Sequence, residues 1–432
     1  MSKHILVIGG GVIGLSVAHA CASKGHRVTV VERGACDRDT GCSYANAGMI
    51  VPSHFVPLAS PGMVTLALRW MLDPESPFHL KLRASAELLD WGWKFYRACT
   101  EEHVARAAPL LRDLHLASRA RYGAWAAQWG DRFGFVESGM LVLCRTGHGL
   151  AEETRVATLA SELGIAADVL DAQQVAEIEP DIRTSVAGAI HFPRDARLVP
   201  ARLMSALRDE TQRIGVELRH GADVRALRVN GARIAAVETR DGAIAADEFV
   251  LCAGVWSSSL ARDLGLSLPM QAGKGYSLTV ERPAQTMRTC AILSEARAAV
   301  TPMDGTLRFG GTLEITGNDE TVDRARVRGI VKSIGSYFPD VTPDVLASAT
   351  IRTGLRPCSP DGLPYIGRFA RYANLSAATG HAMMGVSLAP ITGTLIAQVL
   401  SAEPTSLPIA ALSPDRYARS GRQATNEAAV TA

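Results

Sequence analysis

The 432-residue sequence has little net charge and no closely paired cysteines. Its 45 Lys and Arg residues nearly balance 43 Asp and Glu residues, for a formal net charge of +2. This balance argues against nucleic acid and against an acidic partner. The eight cysteines include no C-x-x-C pair. We therefore expect no metal site and no disulfide framework, but reduced thiols in the cytoplasm.

Unbroken hydrophobic segments are also scarce. Residues 49 to 68 contain no Asp, Glu, Lys or Arg, but three prolines, one glycine and one histidine argue against a straight helix in lipid. This segment is therefore interpreted as a surface loop or as a patch that contacts a membrane peripherally. The N-terminus resembles a secretory signal in its lysine and apolar run, but four glycines within six residues favour a βα turn. Residues 421 to 432 are predicted to form a disordered tail.

The first 32 residues carry a dinucleotide-binding pattern. An apolar run over residues 4 to 8 predicts a buried strand, residues 12 to 23 predict a helix, and RVTVV predicts a second strand that leads to Glu32. The glycines of the G-x-G-x-x-G motif between them are Gly9, Gly11 and Gly14. Such glycines let the backbone approach a pyrophosphate, and Glu32 can accept hydrogen bonds from both ribose hydroxyls. The acid would repel a 2′-phosphate, which disfavours NADP.

Two later stretches bear on which dinucleotide binds, since no second G-x-G-x-x-G follows. After the second strand, the loop GCSYANAGMIVP offers small and amide side chains, Ser43, Asn46 and Gly48, suited to phosphates and a flat ring, although an ordinary polar loop is the alternative. Residues 216 to 257 predict short strands with turns at Asn-Gly and Asp-Gly, then a core strand. Gly254 after that strand would let the backbone approach the cofactor.

The C-terminal part adds a helix and an arginine. In NLSAATGHAMMGVSLAP, a strand leads through Gly380 to a helix that begins near Met384 or Gly385, and its N-terminus would face the crevice and favour negative charge on a reduced flavin. In TGLRPCSPDGLPYIG, Arg356 lies in a turn-rich stretch expected to pack inward. A buried guanidinium keeps its charge and needs an anion, either a ligand carboxylate or Asp361.

Six motifs in order resemble the FAD-dependent D-amino acid dehydrogenases of the D-amino acid oxidase and glycine oxidase superfamily, from residue 3 to residue 418. They are the glycine motif with Glu32, SYANAGMI, KGYSLTV, RFGGTLEI, TGLRPCSPDGLPYIGR and TGHAMMGVSLAP. The resemblance implies a non-covalent FAD, oxidation of a D-amino acid to an imino acid that hydrolyses to a 2-oxo acid and ammonia, and electron transfer to a quinone-type acceptor. It maps the adenine-side contact onto Val224, and we count Arg33 with the cofactor residues.

The resemblance implies that Arg356 binds the substrate carboxylate, which agrees with the need of a buried guanidinium for an anion. The planar fork of Arg356 matches a carboxylate and would hold the substrate Cα–H over flavin N5. Tyr276 would donate its hydroxyl to the same carboxylate or form a wall of the pocket. We expect His54 to pack and His381 to shape a loop, because hydride transfer from a neutral amine needs no protein base. Cys358 is disfavoured as a covalent flavin anchor.

The predicted fold class is α/β, with a Rossmann-like FAD-binding domain and an inserted α+β substrate domain that contains a mostly antiparallel sheet. The FAD-binding domain is predicted to comprise residues 1–65, 195–265 and 345–420, and the substrate domain residues 66–194 and 266–344. Two alternative functions are a dehydrogenase of a cyclic D-imino acid, such as D-proline or hydroxy-D-proline, and the FAD subunit of a multi-subunit amine or imino acid dehydrogenase.

Overall fold

A computed structural model of the protein describes residues 2–35, 41–71, 73, 75–81, 83 and 85–418, so the predicted tail lies outside the described residues. The helices are α1 (Val12–Ser23), α2 (Met63–Trp70), α3 (Ala86–Ala98), α4 (Glu101–Trp129), α5 (Gly147–Glu162), α6 (Ala172–Ile178), α7 (Pro200–Arg213), α8 (Ser257–Asp263), α9 (Arg324–Tyr337), α10 (Pro343–Ala347) and α11 (Gly385–Leu400). The strands are β1 (His4–Ile8), β2 (Arg27–Glu32), β3 (Met49–Ile50), β4 (Phe78–Leu80), β5 (Met140–Cys144), β6 (Asp168–Asp171), β7 (Gly188–Phe192), β8 (Ala196–Arg197), β9 (Glu217–His220), β10 (Ala226–Asn230), β11 (Arg233–Thr239), β12 (Gly242–Ala245), β13 (Glu248–Leu251), β14 (Gln271–Glu281), β15 (Cys290–Leu293), β16 (Ala298–Met303), β17 (Thr306–Ile315), β18 (Thr350–Cys358), β19 (Tyr365–Arg368) and β20 (Leu375–Thr379).

The first sheet is a doubly wound sheet with the strand order β19-β20-β13-β1-β2-β9, and its pairs are parallel except for the edge strand β19, which is antiparallel to β20. Strand β1 lies inside it between β2 and β13, and its apolar residues are buried on both faces, as is typical of a central parallel strand. Helix α1 has the predicted bounds and packs against α7 and α11. The hairpins at Asn230-Gly231 and Asp241-Gly242 form a small separate sheet of β10, β11 and β12.

The second sheet has the strand order β18-β14-β17-β16-β15-β5-β7-β6, with β4 beside β17. Its pairs are antiparallel except for β15 with β5 and β17 with β4. Helices α9 and α10 cover one face, where apolar side chains such as Leu278, Phe309 and Ile334 form a buried core. The predicted α/β class, with a mostly antiparallel second sheet, is therefore confirmed.

The stretch around Arg356 was predicted to be rich in turns, but it forms a strand. Residues Thr350–Cys358 form the regular strand β18, which pairs with β14 at the edge of the second sheet. The glycines and the proline suggested a turn, but an edge strand accepts proline because one side of its backbone needs no ladder hydrogen bond. This strand belongs to the second sheet although it falls within the stretch predicted for the FAD-binding domain.

The apolar segment 49 to 68 is only partly at the surface. Ile50 and Phe55 are fully buried, and β3 pairs with β8, so the first half is core and its prediction as a surface loop was wrong. Helix α2, in contrast, has no buried residue. The stretch Ala382–Leu400 is long and apolar enough to cross a membrane, but it is mostly buried, and α11 within it packs against α1 and α4 as a core helix.

Candidate active site

A cavity of about 470 Å³ lies along the carboxyl edge of the first sheet, where open α/β sheets bind their ligands. Its volume is in the usual range for ligand and cofactor sites. The predicted cofactor residues that line the cavity are Gly9, Gly11, Glu32, Arg33, Ser43, Asn46, Val224, Gly254 and Gly385. The other predicted cofactor residues, Gly14, Gly48, Gly380 and Met384, are not part of the cavity lining.

The glycine motif is a tight cradle for a ligand. At Gly9, whose φ is +111°, a Cβ would lie 2.5 Å from the carbonyl oxygen of Cys252, and at Gly14 it would lie 1.9 Å from the oxygen of Gly9. These two glycines therefore keep β1, β13 and the start of α1 in close contact. A Cβ at Gly11 would meet only the Ser43 hydroxyl, at 3.4 Å, so this glycine leaves its space to the cavity.

Two polar side chains complete the cradle. The Glu32 carboxylate accepts hydrogen bonds from the backbone N–H groups of Gly10 at 2.6 Å and Gly34 at 2.8 Å. Its position at the carboxyl end of β2 is the one that contacts ribose in dinucleotide-binding folds. The Ser43 hydroxyl accepts a hydrogen bond from the Val12 N–H at 3.1 Å and so holds its loop against the N-terminus of α1.

Two segments singled out in the sequence, the loop that contains Asn46 and the turn before α11, contact each other at the cavity. Asn46 accepts a hydrogen bond from the Gly48 N–H at 2.7 Å and donates to the Met383 carbonyl at 3.4 Å, which ties its loop to the start of α11. A short 3₁₀ turn over Ala382–Met384 precedes α11, so the helix begins at Gly385 and turns its N-terminus toward the cavity.

The two candidate histidines are uncharged at neutral pH. Burial lowers the pKa of His381 to about 3 and that of His54 to about 4. His381 lines the cavity, and its Nε2 is 3.0 Å from the Thr392 hydroxyl. Within the described part of the chain, its buried Nδ1 has no hydrogen-bond partner, so a polar atom of a ligand would satisfy it.

Arg356 is half-buried and is not itself part of the cavity lining, but its strand neighbours Leu355 and Pro357 are, and its charge acts on the cavity-lining Cys42. Its guanidinium lies against Gly275 of β14, and its Nη1 donates to the Thr312 carbonyl at 2.6 Å. Asp361 is not its partner, because that carboxylate forms an ion pair with Arg416 at 2.7 Å. The alternative of an Arg356–Asp361 pair was therefore wrong.

Tyr276 does not share a ligand with Arg356. Arg356 pairs with Gly273 in the regular β14–β18 register, and Tyr276 is three residues from Gly273, so the two side chains lie on opposite faces of the sheet. The Tyr276 hydroxyl is buried and donates to the Glu314 carboxylate at 3.2 Å. The structure thus contradicts the prediction that Tyr276 binds the substrate carboxylate or forms a wall of its pocket.

Cys358 lies outside the cavity lining. Burial raises the pKa of its thiol to about 12, and its backbone forms a β-bridge with His381. A neutral, buried thiol is a poor nucleophile. Cys42 does line the cavity, where burial raises the pKa of its thiol while the nearby charge of Arg356 opposes this.

The sequence reasoning missed Arg308, in the motif RFGGTLEI. Its Nη1 donates to the backbone carbonyls of Tyr44 at 3.0 Å and Asn46 at 2.8 Å, so it clamps the loop between Ser43 and Gly48 from the second sheet. Burial lowers the pKa of Arg308 to about 10, with a further contribution from Arg352. The sequence signal that could have identified Arg308 is a basic residue inside an otherwise largely apolar predicted strand.

These features define a class of protein. A dinucleotide cradle on a doubly wound sheet, beside a second sheet that carries an arginine, is the arrangement of an oxidoreductase with a dinucleotide cofactor.

The sequence matches the family DAO, FAD dependent oxidoreductase, over residues 4–399. It is 31% identical over 419 residues to a D-amino acid dehydrogenase of Bradyrhizobium diazoefficiens, covering 96% of this chain and 99% of the relative. It is 33% identical over 430 residues to a D-amino acid dehydrogenase of Methylobacterium radiotolerans, covering 96% and 100%. The structure is similar to glycine oxidase from Geobacillus kaustophilus, with a TM-score of 0.76 and 25% identity over 96% of this chain and 99% of that one.

The chain belongs to the DAO family of FAD-dependent oxidoreductases. Its cofactor is FAD, and the described residues fit that group. The glycine cradle, Glu32 and His381 line one cavity that can hold a dinucleotide, and the buried Nδ1 of His381 has no hydrogen-bond partner within the described part of the chain.

Proposed function

We propose that the protein oxidises a small apolar D-amino acid, of which D-alanine is the type, to its imino acid. The single observation that carries the proposal is the half-buried Arg356, whose strand neighbours Leu355 and Pro357 line the FAD cavity and whose charge acts on the cavity-lining Cys42. Bound FAD supplies the acceptor for the hydride that leaves the substrate Cα. The relatives named as D-amino acid dehydrogenases support the choice of substrate class.

The role of Arg356 in this proposal is to bind the substrate carboxylate. The hydrogen bond from Nη1 to the Thr312 carbonyl and the contact with Gly275 restrain the plane of the guanidinium. A restrained, planar fork can hold a carboxylate with two hydrogen bonds, which limits the orientations of the Cα–H bond.

The surroundings of Arg356 favour an apolar substrate side chain. The sulfur of Cys358 lies 3.5 Å from the Arg356 carbonyl, and Cys358 forms one apolar cluster with Trp91, Leu313 and Ala382. Ala382 also lines the FAD cavity. A charged side chain would lose its hydration against such a wall. A cyclic D-imino acid such as D-proline would meet the same wall and is the alternative substrate.

The proposal is tested by anaerobic mixing of the purified flavoprotein with D-alanine, L-alanine, D-proline and glycine. We expect D-alanine to bleach the flavin and L-alanine to leave it oxidised, because one fixed carboxylate and one accessible flavin face select one enantiomer. Stronger reduction by D-proline would favour the cyclic alternative. Reduction by glycine alone or by L-alanine would contradict the proposal.

The variant Arg356→Lys tests the carboxylate contact directly. Lysine keeps the charge but loses the two-pronged geometry. We expect kcat/KM to fall about 30- to 1000-fold, which corresponds to roughly 2 to 4 kcal/mol. FAD content should stay normal because the cradle lies elsewhere. Loss of FAD or of folding would assign Arg356 a structural role.

We further propose that electrons pass to a quinone at the cytoplasmic face of a membrane. Support comes from exposed apolar side chains on α2 and α3, namely Leu68 at 62%, Leu89 at 73%, Trp93 at 61% and Tyr96 at 60% exposure.

Co-sedimentation of the protein with phospholipid vesicles tests this contact. It should decrease in Leu89→Ser and Trp93→Ser but not in the control Val169→Ser, whose residue is 49% exposed outside these two helices. Equal sedimentation of all variants would contradict this contact. A chain that reduces its flavin but no quinone would indicate a subunit of a larger dehydrogenase.

A further inference from the structure

A cluster of charged side chains is buried beneath the second sheet, on the face opposite Arg356. The side chains of Lys274, Glu314 and Arg326 are only 3%, 2% and 4% exposed. Lys274 Nζ lies 3.0 Å from one Glu314 carboxylate oxygen, and Arg326 Nε lies 3.0 Å from the other. The Tyr276 hydroxyl also donates to this carboxylate. We call these four residues the Glu314 cluster.

The composition of the cluster is unusual for a purely structural core. Two cations share one carboxylate, and burial of such groups costs more free energy than apolar side chains of similar volume would. Burial alone would lower the pKa of Lys274, but the hydrogen bond and charge of Glu314, with Tyr276, raise it. Lys274 is therefore charged, and the carboxylate lies between two cations.

The cluster is connected to Arg356 through an irregular segment of β17. Lys274 of β14 pairs with Glu314 of β17, and Tyr276 pairs with Gly311. One residue therefore lies between the paired positions in β14, but two lie between them in β17. The extra residue is a β-bulge, and Thr312 within it has a φ of +68°, which is unusual for a β-branched residue. This conformation places the Thr312 carbonyl where it accepts the hydrogen bond from Arg356 Nη1.

The same cluster holds the loop that follows β17. Lys274 Nζ donates to the Thr321 carbonyl at 2.9 Å, and the Asp323 N–H donates to the Tyr276 hydroxyl at 3.1 Å. Directly before these two anchors, the Glu320 carbonyl accepts a hydrogen bond from the Thr353 hydroxyl of β18 at 2.9 Å, and Glu320 lines the cavity. The cluster thus restrains both the acceptor for Arg356 and one side of the cavity mouth.

We propose that Glu314 is a positioning residue for substrate binding, which acts through the bulge at Thr312 to orient the Arg356 guanidinium. The proposal rests on the proposed function, in which Arg356 binds the substrate carboxylate. It assigns the buried charges a purpose that stability alone does not require, since a displaced Thr312 carbonyl would let the guanidinium plane turn away from the cavity.

A double-mutant cycle tests this role. Propionate, which is D-alanine without its amino group, is titrated into wild type, Glu314→Gln, Arg356→Lys and the double variant, and its dissociation constant is read from the flavin absorbance. We expect Glu314→Gln to keep its FAD and to bind propionate about 5- to 20-fold more weakly, with little further loss in the Arg356→Lys background. Independent, additive losses would overturn the proposal, as would unchanged binding in Glu314→Gln.

A milder variant covers the case in which Glu314→Gln does not fold. Tyr276→Phe removes one hydrogen bond to Glu314 and is expected to weaken propionate binding about 2- to 5-fold in the wild-type background only. Tyr337→Phe is the matched control, because Tyr337 is buried in the same core and donates to Glu295. Equal effects of the two phenylalanine variants would overturn the proposal. If Arg356→Lys binds propionate as tightly as wild type, Arg356 does not bind the substrate carboxylate. Both the proposed function and the positioning role of Glu314 would then be wrong.

Discussion

The position of the Arg356 guanidinium against Gly275 can be tested by adding one methyl group. A Cβ at residue 275 would lie 2.2 to 2.5 Å from three guanidinium atoms, whereas ordinary contact begins at 3.4 Å. The guanidinium must therefore withdraw by about 1.2 Å. A displacement of about 1 Å can lower a rate about 100-fold, or about 2.7 kcal/mol. We expect that loss in kcat/KM for D-alanine in Gly275→Ala.

Stability should change little in this variant, because the clashing atoms are the end of a flexible side chain and a strand accepts alanine. FAD content and melting temperature are measured beside kcat/KM. Gly310→Ala is the matched control, since its Cβ would lie in the same sheet at 3.8 to 3.9 Å from its nearest neighbours. A fully active Gly275→Ala enzyme would refute the reasoning, and so would equal losses in both variants.

Three further predictions concern the cofactor and the fold. Acid precipitation of the purified protein should release FAD into the supernatant, and flavin that stays on the polypeptide would contradict a non-covalent site. Glu32→Ala should weaken FAD binding to the apoprotein at least about tenfold through loss of charge-assisted hydrogen bonds to the ribose, and equal affinity would remove Glu32 from the site. Burial raises the pKa of Asp195 from 3.8 to about 7, so the native state keeps a proton that the unfolded chain releases. The free energy of unfolding should therefore fall as the pH rises from about 4 to 7, by at most ~4 kcal/mol. Urea unfolding at pH 5 and pH 8 measures this fall. It should be smaller in Asp195→Asn than in wild type or in the exposed control Asp241→Asn.

The sequence predicted the parts of the site that are local along the chain. The glycine motif, α1 and Glu32 lie within 32 residues, and their spacing alone determines which atoms meet. The start of α11 was also predictable within a residue, since the glycines before it interrupt the apolar pattern.

What the sequence could not predict depends on pairing between distant strands. The face of Tyr276 follows from its register with β18, about 80 residues away, and a shift of one residue would reverse it. The partner of Asp361 is Arg416, 55 residues further on, whereas the nearer Arg356 donates to the Thr312 carbonyl of the second sheet. The Glu314 cluster likewise combines a strand, a bulge and a helix that no single stretch contains.

The strand order has a consequence for engineering by domain exchange. Arg356 is on β18, in the C-terminal part of the chain, whereas Gly275 and Thr312, which fix its guanidinium, belong to the segment between β13 and α9. A chimaera that takes residues 266 to 344 from a relative would combine one parent's arginine with the other parent's contacts for it. Under the proposed role of Arg356, substrate preference depends on both segments together, and a graft meant to transfer it must extend through Cys358.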